Sequence, residues 1–385
     1  MTVSPFSFPA SAPPDRAAFA VVGAGLSGLL ASHLLERSGH DAVLIEARSR
    51  LGGRILGLPA ADGVSHFDLG PAWVWPEINA RLAHWLGALD LPLFEQHGRG
   101  ASLVEGPSRE LRRYAAGFAQ QPPSMRVVGG TAALVDALAS RLRRTQVRLG
   151  TRLQGLTAGS RGELTLALDT DGKPSTLQAR SVILALPPRL LASSLTWQPV
   201  LPPDTSRRWA GTPTWMAGHA KLLAVYSRPF WREQGLSGTA VSQAGPLAEV
   251  HDASAADGQP AALFGFVGVP APWRQRMGRQ ALMEAALQQL VRLFGPEAAT
   301  PEQLQLQDWA TEPETATPAD GEPAGHPAAQ STMLPAPWQG RVHLAGTEFA
   351  PDFPGYLEGA VLAAERAVAA CLVDEGRSSR GTASA

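Results

Sequence analysis

The stretch Ala20-Val21-Val22-Gly23-Ala24-Gly25-Leu26-Ser27-Gly28-Leu29-Leu30 decides the fold of this chain. The apolar residues before the glycines predict a buried strand of a parallel sheet. Three glycines follow in G-x-G-x-x-G spacing, and leucines then recur at helical intervals. A strand, a glycine turn and a helix N-terminus together form an anion site, because the first amides of the helix point at the ligand.

The three glycines have different expected roles, and an acidic residue completes the pattern. Gly23 permits the tight turn, Gly25 lets the backbone approach a pyrophosphate, and Gly28 lets the helix pack on the strand. A second predicted strand, 42–45, ends in Glu46, roughly 20 residues past the glycines, where a ribose hydroxyl would be held. We therefore predict a dinucleotide site for NAD or FAD. The alternative is a strand–helix turn without a ligand.

The residues that follow Glu46 favour FAD. In Arg50-Leu51-Gly52-Gly53-Arg54, two glycines give a second close approach of the backbone, and two arginines can offset phosphate charge. This R-x-G-G-R pattern resembles the second fingerprint of flavoproteins with two dinucleotide-binding domains, which bind FAD. The alternative is a basic surface turn.

Length and composition exclude several classes of protein. The chain has 385 residues, enough for two domains, with 44% apolar and 17% charged residues. Its net charge of −1 has no basic stripe, which argues against nucleic acid as a partner. The single cysteine, Cys371, excludes a disulfide framework and the usual thiolate metal sites, so we predict no metal. We find no signal peptide and no apolar run near the ~20 residues of a membrane span, so we expect a cytoplasmic protein.

Strand and helix patterns alternate as far as Pro187-Pro188, which predicts an α/β domain. Segments 221–226 and 261–267 predict strands of a second sheet, and a helix is predicted over 276–294. Residues 95–124 predict no firm structure, whereas 310–337 form a long loop of the kind that is often functional. A last strand near 341–344 precedes a final helix that begins after Gly355.

Taken in order, these motifs resemble the flavin-containing amine oxidase family, which includes monoamine, polyamine and L-amino acid oxidases. The resemblance runs from about residue 18 to 373. Besides the two N-terminal fingerprints, the motifs that carry it are Asp68-Leu69-Gly70-Pro71-Ala72-Trp73, Val128-Gly129-Gly130, Ala185-Leu186-Pro187-Pro188, Lys221 upstream of Arg228-Pro229-Phe230-Trp231-Arg232, Ala345-Gly346-Thr347-Glu348 and Gly355-Tyr356-Leu357-Glu358-Gly359-Ala360.

The resemblance implies a Rossmann-like FAD-binding domain and an α+β substrate domain. The FAD domain would comprise 18–76, 124–204 and 338–375, the substrate domain 77–123 and 205–337, and the flexible tails 1–17 and 376–385. It also implies hydride transfer from the carbon next to nitrogen to flavin N5. Water would then hydrolyse the imine, and dioxygen would reoxidise the flavin and yield hydrogen peroxide.

The resemblance also assigns roles to individual residues. Lys221 would hold a water near flavin N5, the alternative being a surface lysine at the start of a strand. Tyr356 would form one wall of an aromatic cage, and the helix N-terminus beside it would stabilise the anionic reduced flavin. The implied FAD-binding residues are Gly23, Gly25, Leu26, Ser27, Gly28, Glu46, Ala47, Arg48, Gly53, Arg54, Gly70, Pro71, Ala72, Trp73, Leu153, Gly346, Glu348, Gly355, Tyr356, Leu357 and Ala360.

The chain departs from the family at two places. The second cage wall is often a tyrosine, but here the long loop offers Trp309, His326 and Pro327 instead. The same loop lacks the cysteine that tethers FAD in some relatives, so non-covalent FAD is expected.

The side chains expected around the substrate are aromatic, and no arginine can be placed beside them to bind a carboxylate. We therefore expect a small amine with an aryl or alkyl body, ahead of an α-amino acid, and dioxygen. A dehydrogenase or desaturase, an L-amino acid oxidase and a non-catalytic flavin-binding protein remain alternatives, and a homodimer stays open. The aromatic side chains expected around the substrate are those of Trp73, Trp75, Trp215, Phe264 and Tyr356.

Overall fold

A computed structural model describes residues 16–60, 63, 66–115, 120–159, 162–322 and 324–382 of the chain. The strands are β1 Arg16–Val22, β2 Ala42–Ile45, β3 Gly57–Pro59, β4 His66–Asp68, β5 Leu93–Glu95, β6 Ala101–Glu105, β7 Leu111–Tyr114, β8 Met125–Val127, β9 Gln146–Arg148, β10 Thr151–Ala158, β11 Leu164–Thr170, β12 Lys173–Leu184, β13 Thr196–Gln198, β14 Ala220–Tyr226, β15 Leu236–Ser242, β16 Leu247–Asp252, β17 Ala261–Val267, β18 Gln303–Asp308 and β19 Val342–Leu344. The α-helices are α1 Leu26–Arg37, α2 Ala80–Ala88, α3 Ala132–Ala139, α4 Pro188–Ser193, α5 Pro203–Gly211, α6 Phe230–Glu233, α7 Ala271–Met277, α8 Arg279–Phe294 and α9 Leu357–Thr382.

The chain divides into two compact units, and each is assembled from separate segments. The first unit comprises Met1–Arg54, Val135–Trp215 and Ala324–Ala385, and the second comprises Ile55–Leu134 and Met216–Pro323. The domain boundaries predicted from the sequence differ from this division. Residues 55–76 and 124–134, predicted with the FAD domain, lie in the second unit, whereas 205–215 and 324–337 lie in the first.

The first unit is built on a mixed sheet with the strand order β13-β10-β11-β12-β1-β2-β9, and β19 also pairs with β12. The pairs of β1 with β2 and β12, of β2 with β9 and of β12 with β19 are parallel. Strands β10, β11 and β12 pair antiparallel. Residues Phe19 to Val22 are buried, as their continuous apolar run predicts for the centre of a parallel sheet. The α/β class predicted from the sequence is confirmed for this unit.

Helices α1 and α9 pack together in the first unit, so both ends of the chain contribute to it. Helix α9 runs on to Thr382, although a flexible tail was expected from residue 376. Most of the predicted N-terminal tail, residues 1–15, lies outside the described residues. None of the helices in the described part of the chain combines the length and the apolar character that a membrane-spanning segment requires.

The second unit is built on a sheet with the strand order β18-β14-β17-β16-β15-β6-β7. All its pairs are antiparallel except β15 with β6. Side chains of α8, among them Leu290 and Phe294, pack into the core of this unit. The prediction of no structure over 95–124 is wrong, because β6 and β7 lie there. The helix predicted over 276–294 is interrupted at Gly278, which has a φ of 82°.

Candidate active site

The glycine turn at the start of α1 and the acidic residue after β2 come together in the first unit. The Glu46 carboxylate accepts hydrogen bonds from the amide of Ala24 at 2.7 Å and from that of Arg48 at 2.9 Å. Glu46 is buried, and Ala47 and Arg48 beside it are partly buried. Because β1 and β2 are parallel neighbours, their C-terminal ends meet at this edge, where α/β folds bind dinucleotides.

The glycines of the turn have different surroundings. The space beside each glycine shows whether a dinucleotide fits there. A Cβ atom added to Gly28 would lie 1.8 Å from the carbonyl oxygen of Gly23, so this glycine is needed for the fold. A Cβ atom added to Gly25 would lie 3.8 Å from its nearest neighbours, in ordinary contact distance. Gly25 is also the N-cap of α1, and no side chain caps that end. The open backbone here fits a pyrophosphate at a helix N-terminus.

The second fingerprint lies against the first. The amide of Gly52 donates to the carbonyl of Ala24 at 2.8 Å, and Arg50 donates to the carbonyl of Gly53 at 3.0 Å. Arg54 forms a bidentate pair with Glu348, with N–O distances of 2.7 and 3.2 Å. These contacts bring together predicted cofactor residues that lie almost 300 positions apart in the sequence.

The start of α9 is fixed by a residue that the sequence reasoning missed. The hydroxyl of Thr347 accepts from the amide of Gly355 at 3.1 Å and donates to the carbonyl of Tyr356 at 2.8 Å. Helix α9 begins at the next residue, Leu357, and the amide of Ala360 in its first turn donates to the Tyr356 carbonyl. The only sequence signal for Thr347 is its place between two predicted site residues, Gly346 and Glu348.

Tyr356 belongs to a cluster of three rings in the first unit. The imidazole of His326 stacks on Tyr356 with centroids 5.0 Å apart and an interplanar angle of 27°. Trp215 contacts His326 edge-on at 4.6 Å and lies 6.1 Å from Tyr356. Gly355 has a φ of 88°, and a Cβ atom there would lie 2.5 Å from that of Trp215, so this tryptophan packs directly on the turn before α9.

Lys221 lies on β14 in the second unit and is only 3% exposed, which excludes the alternative of a surface lysine. Its ammonium donates to the carbonyl of Gly70 at 3.1 Å and lies 3.9 Å from the centre of the Phe264 ring. Burial is the main cause that lowers the pKa of Lys221 to about 7. Asp68 raises this pKa and Arg126 lowers it, both by smaller amounts.

Asp68 and Arg126 are buried residues that sequence reasoning did not select. One oxygen of Asp68 accepts from the amide and the hydroxyl of Thr131 at 2.7 and 2.6 Å. The other oxygen lies 3.6 Å from Arg126, which also donates to the carbonyl of Ser254 at 3.0 Å. Asp68 lies at the end of β4 and Arg126 on β8, and the contacts of Asp68 with Arg126 and with Thr131 bring these segments together.

The remaining predicted residues divide between the units. Gly70, Pro71, Ala72 and Trp73 lie in the second unit, where Trp73 packs on Phe264 with centroids 5.5 Å apart. There Trp73 donates to Gln96 and Trp75 to Ser124. Trp309 is also fixed in this unit, by a bond to the carbonyl of Leu69. The first unit holds Leu26, Ser27, Leu153 and Gly346, with Leu153 in the sheet core.

A cavity of about 330 Å³ lies in the second unit, with Arg126 in its wall. The turn Val128-Gly129-Gly130 and the connection between β16 and β17 also line it. None of the predicted site residues lines this cavity.

Comparison with known families identifies the family of the chain. The family described as flavin containing amine oxidoreductase matches residues 116–372, and an NAD(P)-binding Rossmann-like domain matches residues 21–89. The chain belongs to the flavin-containing amine oxidoreductase family. This oxidoreductase therefore depends on FAD. The open backbone at Gly25, where α1 begins, fits the pyrophosphate of that cofactor.

Relatives of the oxidoreductase cover most of its length. A Dictyostelium discoideum protein named "Probable flavin-containing monoamine oxidase A" is 29% identical over 64% of this chain and 52% of its own length. The flavin-containing amine oxidase B of Cavia porcellus is 26% identical over 90% of this chain and 84% of that protein. An L-amino acid dehydrogenase of Synechocystis is also 26% identical, over 91% of this chain and 94% of that protein.

Solved structures share the fold of the oxidoreductase. Wild-type putrescine oxidase bound to putrescine is similar with a TM-score of 0.76, over 93% of this chain and 99% of that chain. The sequence identity is 22%, so this similarity concerns the fold alone.

Proposed function

We propose that the oxidoreductase oxidises a small amine with an aryl or alkyl body and passes the electrons to dioxygen, which yields hydrogen peroxide. Bound FAD supplies the two-electron acceptor for the hydride from the carbon next to nitrogen. The family supports oxidoreduction of amines, and the finer choice of substrate and acceptor is our proposal.

The ring cluster of Trp215, His326 and Tyr356 carries the proposal. Tyr356 remains 40% exposed, so an aromatic surface is presented beside the N-terminus of α9. Such rings bind apolar bodies and attract cations. The helix terminus beside them favours negative charge, and the reduced cofactor develops that charge. The aromatic surface therefore suits the body of an apolar amine, and the helix N-terminus in the same unit suits the reduced cofactor.

The choice of an amine over an α-amino acid follows from the arginine near Lys221. Arg126 is buried and already contacts the Ser254 carbonyl and Asp68, so it is poorly suited to bind a substrate carboxylate. Apolar surroundings also penalise an unpaired ammonium and favour the neutral amine, whose lone pair hydride loss requires. We therefore expect flavin reduction to accelerate as pH rises. The L-amino acid dehydrogenase among the relatives is the reason to test this choice directly.

The experiment compares each amine with the amino acid from which it derives by loss of the carboxylate, such as 2-phenylethylamine with L-phenylalanine. Anaerobic stopped-flow absorbance gives the rate of flavin reduction, and a peroxidase-coupled assay gives peroxide. We expect faster reduction by the amine. Faster reduction by the amino acid would overturn the choice of substrate.

Variants of two exposed tyrosines test the role of the ring cluster. Tyr356→Ala should slow reduction by the amine without releasing FAD. Tyr114→Ala is the matched control, because Tyr114 is an exposed tyrosine on β7 in the other unit. Reduction without peroxide would favour the dehydrogenase alternative, and no reduction by any amine would favour a flavin-binding protein without turnover. The cytoplasmic location stays a prediction, and a homodimer stays an open alternative.

A further inference from the structure

Asp68, Arg126 and Lys221 are three buried ionisable residues of the second unit, and the short segment 68–70 links them as one group. They are 3%, 4% and 3% exposed, respectively. The carbonyl that accepts from Lys221 belongs to Gly70, two residues after Asp68, so one short segment contacts both the lysine and the arginine. Within the described residues, neither the second carboxylate oxygen of Asp68 nor Nε of Arg126 makes a hydrogen bond.

The group contains two basic side chains and one carboxylate. An arginine does not lose its proton in proteins, so Lys221 is the basic member whose charge can change. When Lys221 is protonated, two buried cations share one anion. When it is neutral, the charges of Arg126 and Asp68 balance. Buried charge without a partner is costly, so this arrangement favours the neutral lysine.

Other elements packed around Lys221 present neutral side chains or charges that are already paired. Phe264 and Phe266 of β17 contact the ammonium, and Gln307 of β18 lies opposite Lys221 in the sheet. Gln307 donates to Glu312, and the neighbouring Asp308 pairs with Arg274. On β16, His251 packs on Phe264 and lies 3.3 Å from Glu249. Asp68 raises the pKa of Lys221 and Arg126 lowers it, both less than burial does.

We propose that Asp68 and Arg126 are positioning residues that set the charge of Lys221 in opposite directions. Arg126 disfavours the protonated form of Lys221 by opposing a second cation, whereas Asp68 stabilises that form. Thr131 holds the carboxylate in place, and the Gly70 carbonyl holds the ammonium. The consequence for turnover rests on the proposed role of Lys221 in the reaction with dioxygen, but the setting of its charge does not.

The composition of the chain makes the charge of Lys221 directly measurable. The chain contains only two lysines, Lys173 and Lys221, so lysine labelled with ¹³C at the ε-carbon gives two side-chain signals. Lys173 is exposed at the start of β12 and serves as the internal reference. Lys221→Met assigns the second signal. A pH titration of the holoprotein then gives the titration midpoint of each lysine.

Two substitutions should move the midpoint of Lys221 in opposite directions. Arg126→Gln should raise it by about one unit or more, because a like charge is removed while the Asp68 carboxylate stays. Asp68→Asn should lower it by a similar amount. Arg292→Gln is the control, because it breaks an ion pair with Glu105 in the same unit away from Lys221. Shifts in the same direction, or no larger than in the control, would overturn the proposal.

The double variant keeps the proposal testable if a single variant does not fold. Removing both members of the Asp68–Arg126 pair leaves neither of them buried without its partner, so the double variant is expected to be more stable than either single variant. Its midpoint should lie between those of the single variants, and a shift beyond either would contradict opposing contributions. The pH profile of flavin reoxidation should follow the NMR midpoints. If the pH profile of reoxidation stays the same in both single variants while the NMR midpoints move, Lys221 has no role in reoxidation.

Discussion

Replacing Lys221 by methionine keeps an apolar stem of similar length but removes the ammonium that donates to Gly70. We expect Lys221→Met to slow flavin reoxidation by dioxygen about 10²–10³-fold, the usual cost of one positioned polar group in a catalytic site. Reduction by the amine should change much less. Double-mixing stopped-flow absorbance separates the two half-reactions.

Lys173→Met provides the matched control, because it removes the only other lysine from an exposed position on β12. Its two half-reactions should equal those of the wild type. Unchanged reoxidation in Lys221→Met would mean that the lysine is structural or that the physiological acceptor is not dioxygen.

At the residue scale, the glycine-turn pattern led to Glu46 and the family resemblance led to Lys221 and Tyr356. Neither led to the residues that act on them. Asp68 and Arg126 lie 58 positions apart, and their contact depends on the turn at Thr131. Likewise, the sequence offered His326 as one of three residues in place of the second wall of the aromatic cage. The structure stacks His326 on Tyr356. A sequence pattern reports spacing along one element, whereas these contacts join elements distant in the chain.

The turn that begins α1 offers two glycines with opposite requirements, which gives a paired test. Gly25→Ala should leave the fold intact, because its Cβ atom has space, but it should weaken FAD binding by blocking the phosphate. Gly28→Ala should destabilise the protein, because its Cβ atom would meet the Gly23 carbonyl at 1.8 Å. The alanine itself favours a helix, so the steric conflict is the cause in the second variant.

Thermal unfolding and flavin absorbance of the two purified variants measure these outcomes. Gly25→Ala should have an apoprotein as stable as that of the wild type and a low flavin content. If Gly25→Ala instead retained full FAD, the pyrophosphate would not lie against this turn. A fully stable Gly28→Ala would mean that α1 can shift away from β1.

At the scale of elements, the sequence predicted best what is both buried and regular. Strands β1 and β2 agree with prediction within a few residues because every position of their apolar runs is buried. Strand β7 was missed because all four of its residues are exposed at the sheet edge, so they show no hydrophobic alternation. Helix α7 was not predicted, and the predicted helix began three residues before α8, because nothing in the charged sequence shows the positive φ of Gly278.

Whether the cofactor is bound covalently is a property of the whole molecule. It depends here on the reactivity of the single cysteine. Cys371 is the only cysteine and is buried in α9, and burial raises the pKa of its thiol to about 12. A thiol that keeps its proton is a poor nucleophile towards a flavin ring. Acid or heat should therefore release all FAD into the supernatant. Flavin fluorescence that remained with the denatured band on a gel would contradict this prediction.

The stability of the molecule should depend on pH through Lys221. Its pKa is lowered to about 7 in the folded protein but returns to about 10.4 on unfolding. Between these values the unfolded chain binds more protons, so the free energy of unfolding rises with pH by up to about 1.4 kcal/mol per unit. Below about pH 7 both states are protonated, and this contribution no longer changes.

Lys221→Met removes this dependence and leaves the other titrating groups in place. Denaturant unfolding of both proteins at several pH values should therefore give a difference in stability that changes steadily from about pH 7 to 10. Lys173→Met should follow the wild type. A constant difference between Lys221→Met and the wild type would show that the lysine titrates alike in both states.

The pairing of β19 with β12, and of α9 with α1, has a consequence for the order of events on the ribosome. The first unit needs β19 to pair with β12 and residues beyond 357 to cover α1, so β12 and α1 leave the exit tunnel long before these partners exist. The second unit has all its segments once residue 323 has emerged. Non-local pairing of this kind delays folding and leaves strand edges open in the meantime. The nascent chain therefore carries an unfinished first unit until α9 has emerged, and we expect this unit to need chaperone protection during that time.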